Sequence, residues 1–135
     1  MEVASDAPEV CVRIWAEGSF DPAELDALLG VSGKTKRKGD LRRGGTVEAD
    51  DSWYFSTELE PTVHWDEHLD RVLALVRPHR GEFVAFRARH ELAVGVQLVA
   101  YICSAQFSGE VSREYAAELA LLGCSFGLDL YCVSD

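Results

Sequence analysis

Residues 82–105 read EFVAFRARHELAVGVQLVAYICSA, and how this stretch divides decides what sheet the chain can build. From Ala93 onward, Val94, Val96, Leu98, Ala100 and Ile102 recur at every second position. That spacing puts one row of side chains on one face of a strand. Upstream, Glu82–His90 carries Phe83, Val84 and Phe86 as a short apolar run, which reads as a second strand. A tight connection would make the two segments, 82–90 and 93–105, an antiparallel hairpin.

Toward the C-terminus, Ser112 is placed to cap a helix that runs through Leu122 and stops at Gly123. Cys124–Val133 then alternates, with Phe126, Leu128 and Leu130 expected to face inward. On the N-terminal side, Trp65, Leu69, Val72, Leu73 and Val76 form the stripe of an amphipathic helix between Pro61 and Pro78. Still earlier, Asp21-Pro22-Ala23-Glu24 supplies a cap, a proline at the first helical position and a glutamate three residues after the cap. Gly30 closes that helix, expected over Pro22–Leu29. Val10–Ala16 alternates as the first strand, and Thr46–Ala49 with Ser52–Thr57 reads as an irregular hairpin.

With 30–61 set aside as an elaborated basic loop and hairpin, the order is strand, helix, strand, strand, helix, strand. This is the split βαβ arrangement: a two-layer ferredoxin-like α+β fold, an antiparallel sheet with helices on one face. The second face would then carry Arg13, Trp15, Arg87, Arg89, Gln97, Tyr101, Asp129 and Tyr131. Trp53, Tyr54 and Phe55 of the inserted hairpin are expected to fold over that face.

At 135 residues the chain suits a single domain, 1–135, able to bury roughly 65–70% of its unfolded surface without staples. Its 47% hydrophobic and 27% charged content is that of an ordinary globular protein. The opening MEVASDAPEV has no basic leader or apolar core, so a cytoplasmic location without membrane attachment is expected. Cys11, Cys103, Cys124 and Cys132 form no CxxC pair and read as small buried hydrophobes rather than metal ligands or disulfides.

Charge is unevenly spread. Lys34–Arg43 (KTKRKGDLRR) holds six of the thirteen cations and one of the 23 acids, a local +5 in a chain of -10. The remainder is -15. Lys34, Lys36, Arg37, Lys38, Arg42 and Arg43, with Trp53 beyond them, are therefore binding candidates, the glycines at 33, 39, 44 and 45 letting backbone N–H groups approach an anion. The competing explanation is a solvated run compensating Glu48, Asp50 and Asp51. If functional, the segment reads as an adaptable docking loop, since its glycine spacing is not that of a phosphate loop. The overall acidity disfavours nucleic acid.

Arg13, Trp15, Arg87, Tyr101, Asp129 and Tyr131 form a second candidate set on the sheet face, where rings beside cations could hold a ligand or base. Asp129 is expected to pair with Arg13 or Arg87. His64-Trp65-Asp66-Glu67-His68 matches the H-x-x-E-H pattern of inverted zincins, yet the run reads better as an acid-rich first helical turn. No catalytic residue, metal or cofactor is assigned.

Several of these features also occur together elsewhere. Asp21-Pro22 before a helix ending Leu28-Leu29-Gly30, Lys38-Gly39-Asp40, Trp53 with Ser56, His68-Leu69, Leu122-Gly123 and Asp129-Leu130-Tyr131 resemble the bacterial domain of unknown function family 4279 across nearly the whole chain. The resemblance implies a small bacterial α+β protein and no reaction. Taken together, the expectation is a protein-interaction module of inhibitor or immunity type that docks another, basic protein. A small-ligand or nucleotide-binding domain using the basic loop is the alternative.

Overall fold

The computed structural model describes residues 7–102 and 109–132. At its centre is β1 (Glu9–Gly18), whose alternating residues divide cleanly. Val10, Val12, Ile14 and Ala16 are buried on one face, while Arg13 and Trp15 are half-buried on the other. An apolar row on one side and a mixed row on the other is what a strand covered by helices on a single face requires.

A six-stranded mixed sheet grows outward from β1. On one side β5 (Ala93–Ile102) pairs antiparallel with it, from Glu9 opposite Tyr101 to Glu17 opposite Ala93. On the other lie β3 (Asp51–Ser56) and the short β4 (Glu60–Pro61), both antiparallel to β1. Beyond β3 sits β2 (Lys34–Lys36), and beyond β5 sits β6 (Ser125–Cys132), giving the order β2-β3-β1-β5-β6. β6 runs parallel to β5, because a helical crossover joins them.

The helices form where their punctuation places them. In α1 (Pro22–Leu29), the Asp21 carboxylate accepts the Ala23 N–H and Gly30 turns left-handed at φ 69°. In α4 (Arg113–Leu122), the Ser112 hydroxyl accepts the Tyr115 N–H and Gly123 closes at φ 71°. α2 (Trp65–Val76) has no side-chain cap, yet it buries Trp65, His68, Leu69, Val72, Leu73 and Val76. Each such apolar side chain contributes roughly 1.5–3 kcal/mol, which outweighs the ~1 kcal/mol a cap would add. Residues from all four helices join the strands' inner rows in one core.

The hairpin expected from 82–90 does not exist. After a 3-10 turn at Arg77–His79, Arg80–His90 is a helix, α3. Phe83 and Phe86 are buried three residues apart, with Val84, Arg87 and His90 half-buried, a helical rather than a two-residue period. A short apolar run fits either period, and only the core it meets decides. The split βαβ pattern thus lacks one of its strands, and Arg87 and Arg89 lie on a helix instead of the sheet.

Within 30–61, the partner of Trp53 and Tyr54 is the basic segment itself, since Lys34 pairs with Tyr54 and Lys36 with Ser52. Thr46–Ala49 contributes only an isolated bridge, Val47 to Leu41. The insertion therefore widens the sheet instead of covering it: Trp53 and Phe55 join the helix-side core and Tyr54 lies on the open face with Trp15, its register partner. At the far edge, Leu128 and Leu130 follow the inner row but remain 58% and 47% exposed. Cys11, Cys124 and Cys132 are free thiols, and Cys103 lies outside the described residues.

Candidate functional site

Strand register assembles the site. Across the open face, Gly95, Trp15, Tyr54 and Lys34 stand in one cross-strand row, and Glu17, Ser52 and Lys36 in the next. Because β2 alternates in step with β3, Lys34 and Lys36 rise on the same side as Trp15 and Arg13. Together with Arg42, Glu48 and Gln97 they line a concavity of about 540 Å³. That volume lies within the range of small-molecule sites.

The basic segment folds back on itself. Gly39 N–H donates to the Glu48 carbonyl and Glu48 N–H to the Asp40 carbonyl, while Arg42 N–H donates to the Thr46 carbonyl. Gly44 and Gly45, at φ 98° and 93°, make the turn between them. This folding-back brings the half-buried wall of the site into being. Glu48, its side chain only 10% exposed, forms ion pairs with both Lys36 (3.6 Å) and Arg42 (3.1 Å), so two cations share one acid.

Arg13 completes the cationic lining. Its guanidinium stands 4.5 Å from the Tyr54 ring centroid, a cation–π contact, and its buried Nε has no hydrogen-bond partner. Neither Arg13 nor Lys34 makes an ion pair among the described residues. Four cations against two acids, Glu17 and Glu48, leave the lining at +2 in a chain of -10. Trp15 lies directly against Gly95: a Cβ there would stand 2.5 Å from Trp15 Cζ2.

The other candidates fall elsewhere. Arg37 is taken by Asp51 (3.1 Å) and Asp21 (3.4 Å), as expected for compensation. Asp51 also accepts the N–H groups of Lys38 and Phe20; the Lys38 bond above all holds its carboxyl below the usual range, against the opposing effect of burial. Lys38 thus contributes its backbone, and Arg43 lines a neighbouring recess that shares Lys36, Arg42 and Glu48 with the main one. Trp53 borders the site, but its indole is buried and donates to Asp26 at 2.8 Å.

Tyr101 and Tyr131 stack at 4.9 Å on the β5–β6 side of the same face, outside the concavity. Asp129 accepts the Tyr131 hydroxyl at 2.8 Å, raising the Tyr131 pKa, and makes no ion pair with Arg13 or Arg87. Arg87 packs on Gly123, where an added Cβ would come within 2.7 Å of its Cζ. Beside it, burial pushes the Cys124 thiol up to about 12, so it is unreactive. The candidate sets did not include the lining residues Ala16, Glu17, Thr35, Glu48, Ser52, Tyr54 and Gln97. The signal for Tyr54 lay in its alternation with Trp53, readable only once β2 is known as its partner.

The histidine pair does not converge. His64 is exposed, whereas His68 is buried with Nδ1 2.7 Å from Thr57 Oγ1 and Nε2 2.9 Å from Glu60 Oε1. No group of three metal-ligating side chains occurs among the described residues.

The model of DUF4279, a domain of unknown function, matches residues 8–133. The chain belongs to this family. No match was found among curated proteins or among solved structures. The residues that carry the sequence resemblance are largely structural here: Gly30 and Gly123 close helices, Gly39 turns the basic segment, Trp53 locks to Asp26, and His68 ties α2 to the Thr57 strand end. They hold the sheet and its helices together. The concavity is built on top of that frame.

Proposed function

We propose that this DUF4279 protein is a cytoplasmic binding module for a small anionic ligand, held in the open-face concavity. The observation that carries the reading is the meeting of Arg13, Lys34, Lys36 and Arg42 in one recess of an otherwise acidic molecule. Local positive potential in a walled cleft concentrates anions despite a negative net charge. Arg13 and Lys34, free of carboxylate partners in the described structure, are the cations most available to a ligand. The cytoplasmic setting is supported by three free thiols, and among the described residues no helix is long and apolar enough to cross a membrane.

The test is thermal melting and amide chemical-shift mapping of the full chain with inorganic pyrophosphate. Saturating ligand at 100 times Kd stabilises by about 2.7 kcal/mol, a readily measured Tm increase. Shifts confined to β1, β2 and β3, abolished in Arg13→Ala/Lys34→Glu, support the reading. Unchanged melting and spectra at millimolar pyrophosphate would remove it. Docking of a basic protein is the second reading, supported by the -15 balance outside the basic segment. It predicts capture of a basic partner that is lost at high salt.

A further inference from the structure

We infer that the ligand of the concavity is a nucleoside phosphate, with its base against Trp15 and its phosphates at Lys34, Lys36 and Arg42. This rests on the anion-binding reading and adds the ligand's class. An inorganic anion or sugar phosphate would need only the cations. The recess also has an aromatic floor: the row from Gly95 to Lys34 places the Trp15 backbone two strands, about 10 Å, from the cationic edge, with its indole over Gly95 at the opposite end. A ligand filling both ends must be a ring at one end and an anion at the other.

The intervening residues suit what joins them. Tyr54 stands between Trp15 and Lys34, and Ser52 between Glu17 and Lys36, so a hydroxyl and a carboxylate border the middle of the recess where a sugar would lie. Arg13 occupies one side of the Tyr54 ring, leaving Trp15 as the stacking surface. On the far side of Trp15, Gln97 also lines the recess, and its amide offers both a donor and acceptors to a base edge. Gly95 is the residue that permits this floor, since any side chain there would push the indole outward and would also crowd Ser125 Oγ at 2.6 Å.

The experiment is calorimetric titration of the full-length protein with ADP, pyrophosphate, ribose 5-phosphate and a single-stranded DNA hexamer, for wild type, Trp15→Leu and Gly95→Ala. Stacking on an aromatic side chain is worth roughly 5- to 150-fold in affinity. ADP is expected to bind at least ten-fold tighter than pyrophosphate or ribose 5-phosphate. Trp15→Leu should erase that margin while leaving pyrophosphate affinity unchanged. Gly95→Ala, which alters no charge and no ring, should narrow the margin in the same way, and it serves if Trp15→Leu melts below the assay temperature. Equal affinity for ADP and pyrophosphate overturns the nucleoside class and leaves the anion site standing; no binding of any anion overturns both. A hexamer bound more than a hundred-fold tighter than ADP overturns the small-ligand class in favour of a nucleic-acid strand.

Discussion

His68 makes acidification destabilising well above the range where carboxylates titrate. Its imidazole is fully buried at the base of α2. Thr57 Oγ1 accepts the Val12 N–H at 2.9 Å and stands 2.7 Å from Nδ1, so the Thr57 hydroxyl proton is free to donate to a bare Nδ1. Nε2 then carries the hydrogen, 2.9 Å from Glu60 Oε1 but without a hydrogen-bond partner. This neutral tautomer satisfies Nδ1 through Thr57 and adds no charge to the buried site. Protonation would place a second N–H against a Thr57 oxygen that already accepts one. Burial above all, with the Arg71 charge, lowers the His68 pKa, and together they outweigh the opposing pull of Glu60 and Glu67. The sign follows directly. The unfolded chain takes up a proton near 6.5 and the folded chain resists it to lower pH, so stability is full above 6.5 and falls as pH drops below it. At pH 5 the ceiling on the loss is about 2 kcal/mol, one and a half units at 1.36 kcal/mol each. Urea unfolding of wild type and His68→Gln from pH 7.5 to 5 measures it as the difference between profiles. The glutamine keeps a donor toward Glu60 but cannot titrate, so its profile should be flatter. Parallel profiles would refute the buried neutral histidine.

Three further outcomes follow from local geometry. Gly33→Ala would place a Cβ 2.3 Å from Trp53 Nε1, breaking its bond to Asp26, and should cost roughly 1–3 kcal/mol in denaturant unfolding. Glu91 closes α3 at φ 51° as the only described non-glycine residue with positive φ; Glu91→Gly should raise stability by up to about 1 kcal/mol, seen as a higher Tm. Asp51→Asn weakens the bonds to Lys38, Phe20 and Arg37 and should cost roughly 1–3 kcal/mol at pH 7. Because the Asp51 pKa is lowered, the wild-type advantage should be present above its unfolded value of 3.8 and shrink as pH falls below it, which urea unfolding down to pH 3 would show.

Local signals in the chain specified those elements that local physics suffices to form. Asp21-Pro22 with Gly30, and Ser112 with Gly123, bounded two helices because capping needs only neighbouring residues. The stripe from Trp65 to Val76 and the alternation of Val94 to Ile102 were long enough for one period to win. The opposite case is Glu82–His90, where Phe83 with Phe86 fits a helical period and Val84 with Phe86 fits a strand. There the helix formed because it turns Phe83 and Phe86 into the same core.

The chemistry divides along the same line. The sequence by itself determined that this is an acidic α+β chain with one basic segment, since charge and periodicity are properties of the string. That Lys34 and Lys36 belong to a strand, that Arg13 shares their face, and that Glu48 folds back between Lys36 and Arg42 were decided only in three dimensions. Pairing across a sheet joins residues such as Arg13 and Tyr54 that are far apart in sequence, and no local pattern encodes which strand will lie beside which. Arg13 and Trp15 from one candidate set meet Lys34, Lys36 and Arg42 from the other in one recess because β2 and β3 extend the sheet that β1 begins.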